Sequence, residues 1–368
     1  MSETAAHTPA GPLAATSNDP TGSAPRFVQP VLSGLVQLSH WGVMAAQGAD
    51  AAKFLHGQLT HDFALLGSQT ARLAGYCSPK GRLLASFIGW KTDALAHPDS
   101  VLLACSADLL ATSLKRLSMF VMRAQCKLTD ASATHTLWGV VGERANQLAL
   151  QTQLSSDTWA KVDVDASALG FSPSEAPGTA PTTGHAATLV RLPPAVDDQG
   201  STVTRLLACV PATLAAPTGP LLSLAEWQWL EVRSGVATVT LPLADALVPQ
   251  MLNYESVGGV NFKKGCYPGQ EVVARSQFRG TLKRRTFRLT SPQPLAVGAE
   301  LFHSSDAEQP CGTVVASAPH PSGSGWEVLA SLQLAATQSG HIHPQAAGDG
   351  CATELTLQTV PYALLEDI

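Results

Sequence analysis

From Arg284 onward the chain breaks into short runs of strand-forming residues, parted by turns rich in Pro, Gly and Ser. The runs are Arg284 to Leu289, Glu300 to His303, Gly312 to Ser317, Trp326 to Leu332 and Thr353 to Thr359. Short strands at this spacing predict a small β-barrel over residues 284–368. The preceding sequence follows other rules. Leu35 to Trp90 reads as strand, helix, strand, with Asp50 as a candidate helix N-cap and the Ser78-Pro79-Lys80-Gly81 turn leading into a second strand. Ala107 to Met119 gathers Leu109, Leu110, Leu114 and Leu117 on one helical face, and Ser223 to Arg233 reads as an amphipathic helix stopped by Ser234-Gly235. Strands are expected at Thr188 to Leu192 and Thr202 to Pro211.

The chain is thus an α+β body, residues 29–283, followed by an all-β domain. At 368 residues it is long enough for two or three packed units. Residues 1–28 hold Ala, Thr, Pro, Ser and Gly and are expected to be a disordered tail. Glu3 and Asp19 precede its first arginine, which fits neither a secretory signal nor a transit peptide, so a cytoplasmic protein is expected. Ser172 to His185 reads as a flexible loop within an insertion over about 168–187. No run approaches the about 18 apolar residues that a membrane span needs.

Seven cysteines, Cys77, Cys105, Cys126, Cys209, Cys266, Cys311 and Cys351, include no C-x-x-C pair. That spacing argues against a disulfide framework and against a sequence-local zinc or iron–sulfur site, and no metal ligands are expected. His341-Ile342-His343 lacks further ligands. The P-loop, G-x-S-x-G, H-E-x-x-H and G-x-G-x-x-G patterns are absent.

One cysteine stands apart. Cys266 is bracketed by Gly265 and Gly269, precedes Pro268 by two residues, and lies beside Lys263 and Lys264 with Arg275 downstream. Glycines allow close approach of a ligand to the backbone, and nearby cations favour the thiolate. A helix opening at Gln270 would add its positive end. Cys77, beside Lys80, is a weaker candidate; the other five cysteines read as structural. Residues 263–288 also concentrate eight basic side chains against one acid, Glu271, a local charge of +7 on a chain of −5. A solvated positive face, a site for a carboxylate-bearing cofactor and a site for a phosphate backbone all remain open.

Lys264-Gly265-Cys266-Tyr267-Pro268-Gly269-Gln270-Glu271 resembles the K-G-C-[FY]-x-G-Q-E signature of YgfZ-type proteins, within the aminomethyltransferase-like folate-binding superfamily. Further matches are Trp41-Gly42, Gly48-Ala49-Asp50, Gly57-Gln58-Leu59-Thr60 with Asp62, Lys80-Gly81-Arg82, Trp227 with Gly235, Phe278-Arg279-Gly280 and Pro361-Tyr362. The resemblance implies two α+β subdomains plus a C-terminal β-barrel arranged around a folate site. It implies tetrahydrofolate as ligand, with Trp41, Trp227, Asn253, Tyr267 and Arg275 as binding residues and Cys266 and Lys264 as the reactive pair. A flat pterin stacks well on indole, and a glutamate tail suits basic side chains. It further implies an accessory role for iron–sulfur enzymes or their assembly machinery, including enzymes that methylthiolate tRNA. A folate-dependent aminomethyltransferase acting on a methylamine-bearing carrier is the alternative, although those relatives lack the cysteine motif. Direct tRNA contact through the basic segment is a third reading, without a recognisable RNA-binding module to support it.

Overall fold

A computed structural model describes residues 32–92, 99–173, 186–279, 282–344 and 353–365. The expected tail, most of the expected insertion and Cys351 lie outside these residues. At the insertion's edges, Leu169 and Phe171 are buried and Ala186–Arg191 is a strand.

Two five-stranded antiparallel sheets form the body. The first runs in the order Ala71–Cys77, Leu83–Lys91, Val101–Ser106, Trp41–Gln47, Lys127–Asp130. Two helices, α1 (Ala51–Gln58) and α2 (Ala107–Ser118), pack against it. The central strand Val101–Ser106 is buried at every position, which explains its unbroken apolar run in place of an alternating one. The second sheet runs Gly34–Gln37, His135–Val141, Arg205–Pro211, Ala186–Arg191, Lys161–Asp165 and carries α3 (Gly142–Gln151).

The α4 helix (Leu224–Arg233) buries Trp227, Trp229 and Leu230. Its start is fixed by a capping box: Ser223 Oγ accepts from the Glu226 amide, and the Glu226 carboxylate accepts from the Ser223 amide. A Cβ on Gly139 would lie 2.4 Å from the Trp227 ring, so the indole can seat itself only against a glycine. Asp50 departs from expectation. It precedes α1 but does not cap it, because its carboxylate is taken by the Gln125 amide at 2.8 Å.

The last helix, α5 (Gln270–Phe278), leads into a six-stranded antiparallel sheet. Its order is Ile342–His343, Glu300–His303, Asp306–Pro319, Trp326–Gln333, Arg284–Ser291, Thr356–Gln358. The sheet curls into a half-barrel, its ends drawn together by a bridge between Ile342 and Leu355. Leu289, Leu301, Val314, Val328 and Leu332 fill its own core. Buried ion pairs tie it to the body: Glu327, which also meets Arg288 within the sheet at 3.2 Å, meets Arg233 of α4 at 2.7 Å, and Arg285 pairs with Glu255.

Candidate functional site

The signature loop is pinned to the end of α1 and to the turn between the first two strands of sheet one. Thr60 Oγ1 donates to the Gly259 carbonyl at 2.6 Å, and the Asn261 amide donates to the Thr60 carbonyl at 2.9 Å. Gly269 sits at φ +79°, where a Cβ would lie 2.4 Å from the Ser78 carbonyl oxygen. Only glycine fits there, and it serves as N-cap of α5. Cys266 therefore lies just before a helix N-terminus, as the sequence predicts.

Lys264 is buried although it carries an ammonium group. Its Nζ donates to the carbonyls of Leu59, at 2.8 Å, and His56. These are the oxygens that the last turn of α1 leaves without helical partners, so the cation closes the helix. Nζ also stands 4.8 Å from the Tyr267 ring centroid, over a side chain that is itself buried. Burial pulls the Lys264 amine down to about 8, against the opposing pull of Asp62 and Cys266.

Cys266 is exposed. Among the described residues Cys77, Cys105, Cys209 and Cys311 are buried and Cys126 is half-buried. Burial pushes the Cys77, Cys105 and Cys209 thiols up to about 12 and Cys126 to about 11. The suspicion attached to Cys77 thus has no chemical basis in the fold: a thiol that deep stays protonated.

The basic segment does not act as one surface. Lys264, Arg285 and Arg288 are buried and partnered, and Arg284 donates to the carbonyls of Cys311 and Pro310. Lys263, Arg275, Arg279 and Lys283 are the exposed members. Arg275 and Lys283 line a groove of about 540 Å³ with Val248, Met251, Val272 and Arg284.

The expected folate residues divide in the same way. Trp41 lines a cavity of about 30 Å³ with Phe87, Trp159, Arg205 and Glu231. Trp227 is fully buried behind it, its ring centroid 5.2 Å from the Arg205 guanidinium carbon. Asn253 is buried too, and its amide is occupied: Nδ2 donates to the Thr286 carbonyl and the Tyr362 hydroxyl, and Oδ1 accepts from the Thr286 amide. Tyr267 belongs to the Lys264 loop and Arg275 to the groove.

Trp159, Arg205 and Glu231 escape sequence reasoning because they come from three distant segments. Trp159 also walls a second cavity of about 240 Å³ with Pro193, Ser256, Val257 and Tyr362. Its indole donates to the Val257 carbonyl at 3.2 Å, and its backbone sits at φ +69°, a costly conformation for so large a residue. A φ that sequence does not announce, at a wall shared by two cavities, is a feature that only the structure shows. The buried Nε1 of Trp41 has no hydrogen-bond partner. The cavity and the cysteine loop lie along one strand, Ala71–Cys77: Leu73 lines the cavity, and the Gly75 amide donates to Thr60 Oγ1, which holds the loop.

No family model matches the chain. Curated proteins do match it. The tRNA-modifying protein YgfZ of Sodalis glossinidius (strain morsitans) is 26% identical over 350 residues, covering 90% of this chain and 94% of that protein. The tRNA-modifying protein YgfZ of Edwardsiella ictaluri (strain 93-146) is 28% identical over 357 residues, covering 93% and 98%. The chain's family resemblance is to the YgfZ type. Among solved structures, glycine cleavage system aminomethyltransferase T from Bartonella henselae aligns with a TM-score of 0.58 at 15% identity, over 91% of this chain and 87% of that one. YgfZ-type sequence and aminomethyltransferase-like fold thus coincide in one molecule. Among the described residues no helix is long and apolar enough to cross a membrane, and no three His, Cys, Asp or Glu side chains are placed to hold a metal.

Proposed function

We propose that this protein is a tetrahydrofolate-binding accessory factor of the cytoplasm that serves the assembly or repair of iron–sulfur enzymes, including enzymes that modify tRNA, with Cys266 as its reactive thiolate. The observation that carries the reading is the isolation of Cys266: an exposed thiol before a helix N-terminus, beside the buried ammonium of Lys264. Burial pushes the thiols of Cys77, Cys105 and Cys209 up, whereas Cys266 is exposed on the loop that leads into α5.

Folate suits the chemistry of the Trp159 cavities. The 240 Å³ space is of the order that a bicyclic ring needs, and the 30 Å³ space beyond Trp159 has room for about one water. Trp159 offers a face for stacking in the larger space, and Glu231 and the unpartnered Trp41 Nε1, which line the smaller one, would reach the ring through a single water. Trp227 supports Arg205 from behind. When bound, the folate would supply a one-carbon or redox-active ring. The chain's own residues bind and orient it. The groove bearing Arg275 and Lys283 would receive an anionic group on a partner.

Binding is testable by titrating tetrahydrofolate against the protein's tryptophan fluorescence under anaerobic conditions. Trp159→Ala is expected to weaken binding at least about tenfold, the loss that one stacked ring entails, and Glu231→Gln to weaken it by less, through the bridging water. Unchanged affinity in both variants would move the folate site away from these cavities. The aminomethyltransferase alternative rests on the fold; formation of methylene-tetrahydrofolate on adding a methylamine-loaded carrier protein would support it.

A further inference from the structure

The last turn of α1 brings a histidine and a carboxylate to the signature loop. His56 Nδ1 is 2.9 Å from Asp62 Oδ1. The Asp62 carboxylate also accepts the Leu65 amide at 2.9 Å, and these hydrogen bonds outweigh burial to hold it below the usual carboxylate range. It is therefore ionised at neutral pH and acts as acceptor, which makes Nδ1 the protonated nitrogen of His56 and leaves the Nε2 lone pair free. That nitrogen faces the loop: a Cβ built on Gly265 would lie 3.3 Å from His56 Nε2, one residue before Cys266. Gly265 thus permits the approach of imidazole to the loop. The backbone carbonyl of the same histidine accepts the Lys264 ammonium, so His56 and the loop are locked together from both sides.

We propose that His56 is the proton acceptor for Cys266 and that Asp62 is its positioning residue. The Sγ–H bond breaks, an Nε2–H bond forms, and the imidazolium so produced is balanced by the Asp62 carboxylate while the thiolate lies beside the Lys264 ammonium. The neighbouring His61 has a different role. Burial and Arg72 pull it down to about 4, and its Nδ1 accepts the Asp62 amide, so it is neutral and structural. The charged groups around the pair are accordingly Asp62 after α1, Lys264 and Lys263 on the signature loop, and Arg72 on strand Ala71–Cys77, which acts on His61.

This inference rests on the reading of Cys266 as reactive, and the two fail separately. The test follows alkylation of Cys266 by iodoacetamide from pH 6 to 10, with the modified peptide quantified by mass spectrometry. His56→Gln is expected to slow alkylation at pH 7 by at least about tenfold and to match the wild type near pH 10, where hydroxide can take the proton in place of the imidazole. Asp62→Asn should shift the profile in the same direction by a smaller amount. A His56→Gln profile that overlays the wild type would overturn the proposal and leave the Cys266 reading intact. Equal slowing at pH 7 and pH 10 in both variants would also overturn it, because the pair would then act only by placing the loop.

Discussion

Lys264 and Cys266 are two residues apart and meet opposite fates, one buried and one exposed. The exposure of Cys266 is legible in the sequence, since Gly265, Pro268 and Gly269 describe a loop that turns back on itself. The burial of Lys264 is not, because its partners are main-chain oxygens about two hundred positions upstream, and carbonyls carry no sequence signature. Lys264→Met should cost about 1–3 kcal/mol of stability in urea denaturation, the cost of leaving two buried carbonyls unpaired. The effect has a pH dependence whose sign is set by burial. The amine has an ordinary value of 10.5 when unfolded and about 8 when folded. Between these values the unfolded chain holds the proton that the folded chain has released, so the residue's contribution to stability rises with pH across that window. The wild type should gain on Lys264→Met as pH rises from 8 to 10.5 when both are unfolded in urea. A gap that narrows would contradict this.

At the scale of elements, local chemistry written in adjacent residues was readable, and chemistry shared across the fold was not. The start of α4 follows from Ser223 and Glu226 alone, and Ser223→Ala should cost about 1 kcal/mol by thermal denaturation. Asp50 has the same credentials as a cap, but the chain folds the Gln125 amide onto its carboxylate. The half-barrel strands were visible as runs between turns. Their edges moved, Gly312 to Ser317 lengthening to Asp306–Pro319, because pairing with Glu300–His303 reaches back to Asp306 and pairing with Trp326–Gln333 runs on to Pro319. The turn that presents Cys266 depends on Gly269. Gly269→Ala is expected to destabilise by about 2 kcal/mol or more, from a left-handed backbone and a Cβ at 2.4 Å from the Ser78 oxygen. It should also change the rate of Cys266 alkylation, measured alongside.

Over the whole molecule, charges that look like a binding surface in the sequence turn out partly to be joints. Arg285 connects the half-barrel to Glu255, and Glu327, paired with Arg288 inside the half-barrel, reaches Arg233 on α4. The sequence shows the positive run but not its buried acids, which lie at positions 255 and 327. Glu327→Gln should lower stability by about 3–5 kcal/mol, since it leaves two buried guanidinium groups short of their shared carboxylate. A loss below about 1 kcal/mol in urea denaturation would show that the joint is dispensable. The Trp159 cavities were likewise hidden, being assembled from the two sheets, α4 and the C-terminal segment. What unites these parts is a scaffold in which the strand Ala71–Cys77 both lines the first cavity and holds the loop that presents Cys266 to solvent. The most direct measurement is the level of methylthiolated adenosine in tRNA, by mass spectrometry, in cells lacking this protein and complemented with the intact chain or with Cys266→Ser. The modification should fall on deletion and be restored by the intact chain alone; full restoration by Cys266→Ser, or no fall on deletion, would remove the thiolate or the iron–sulfur role respectively.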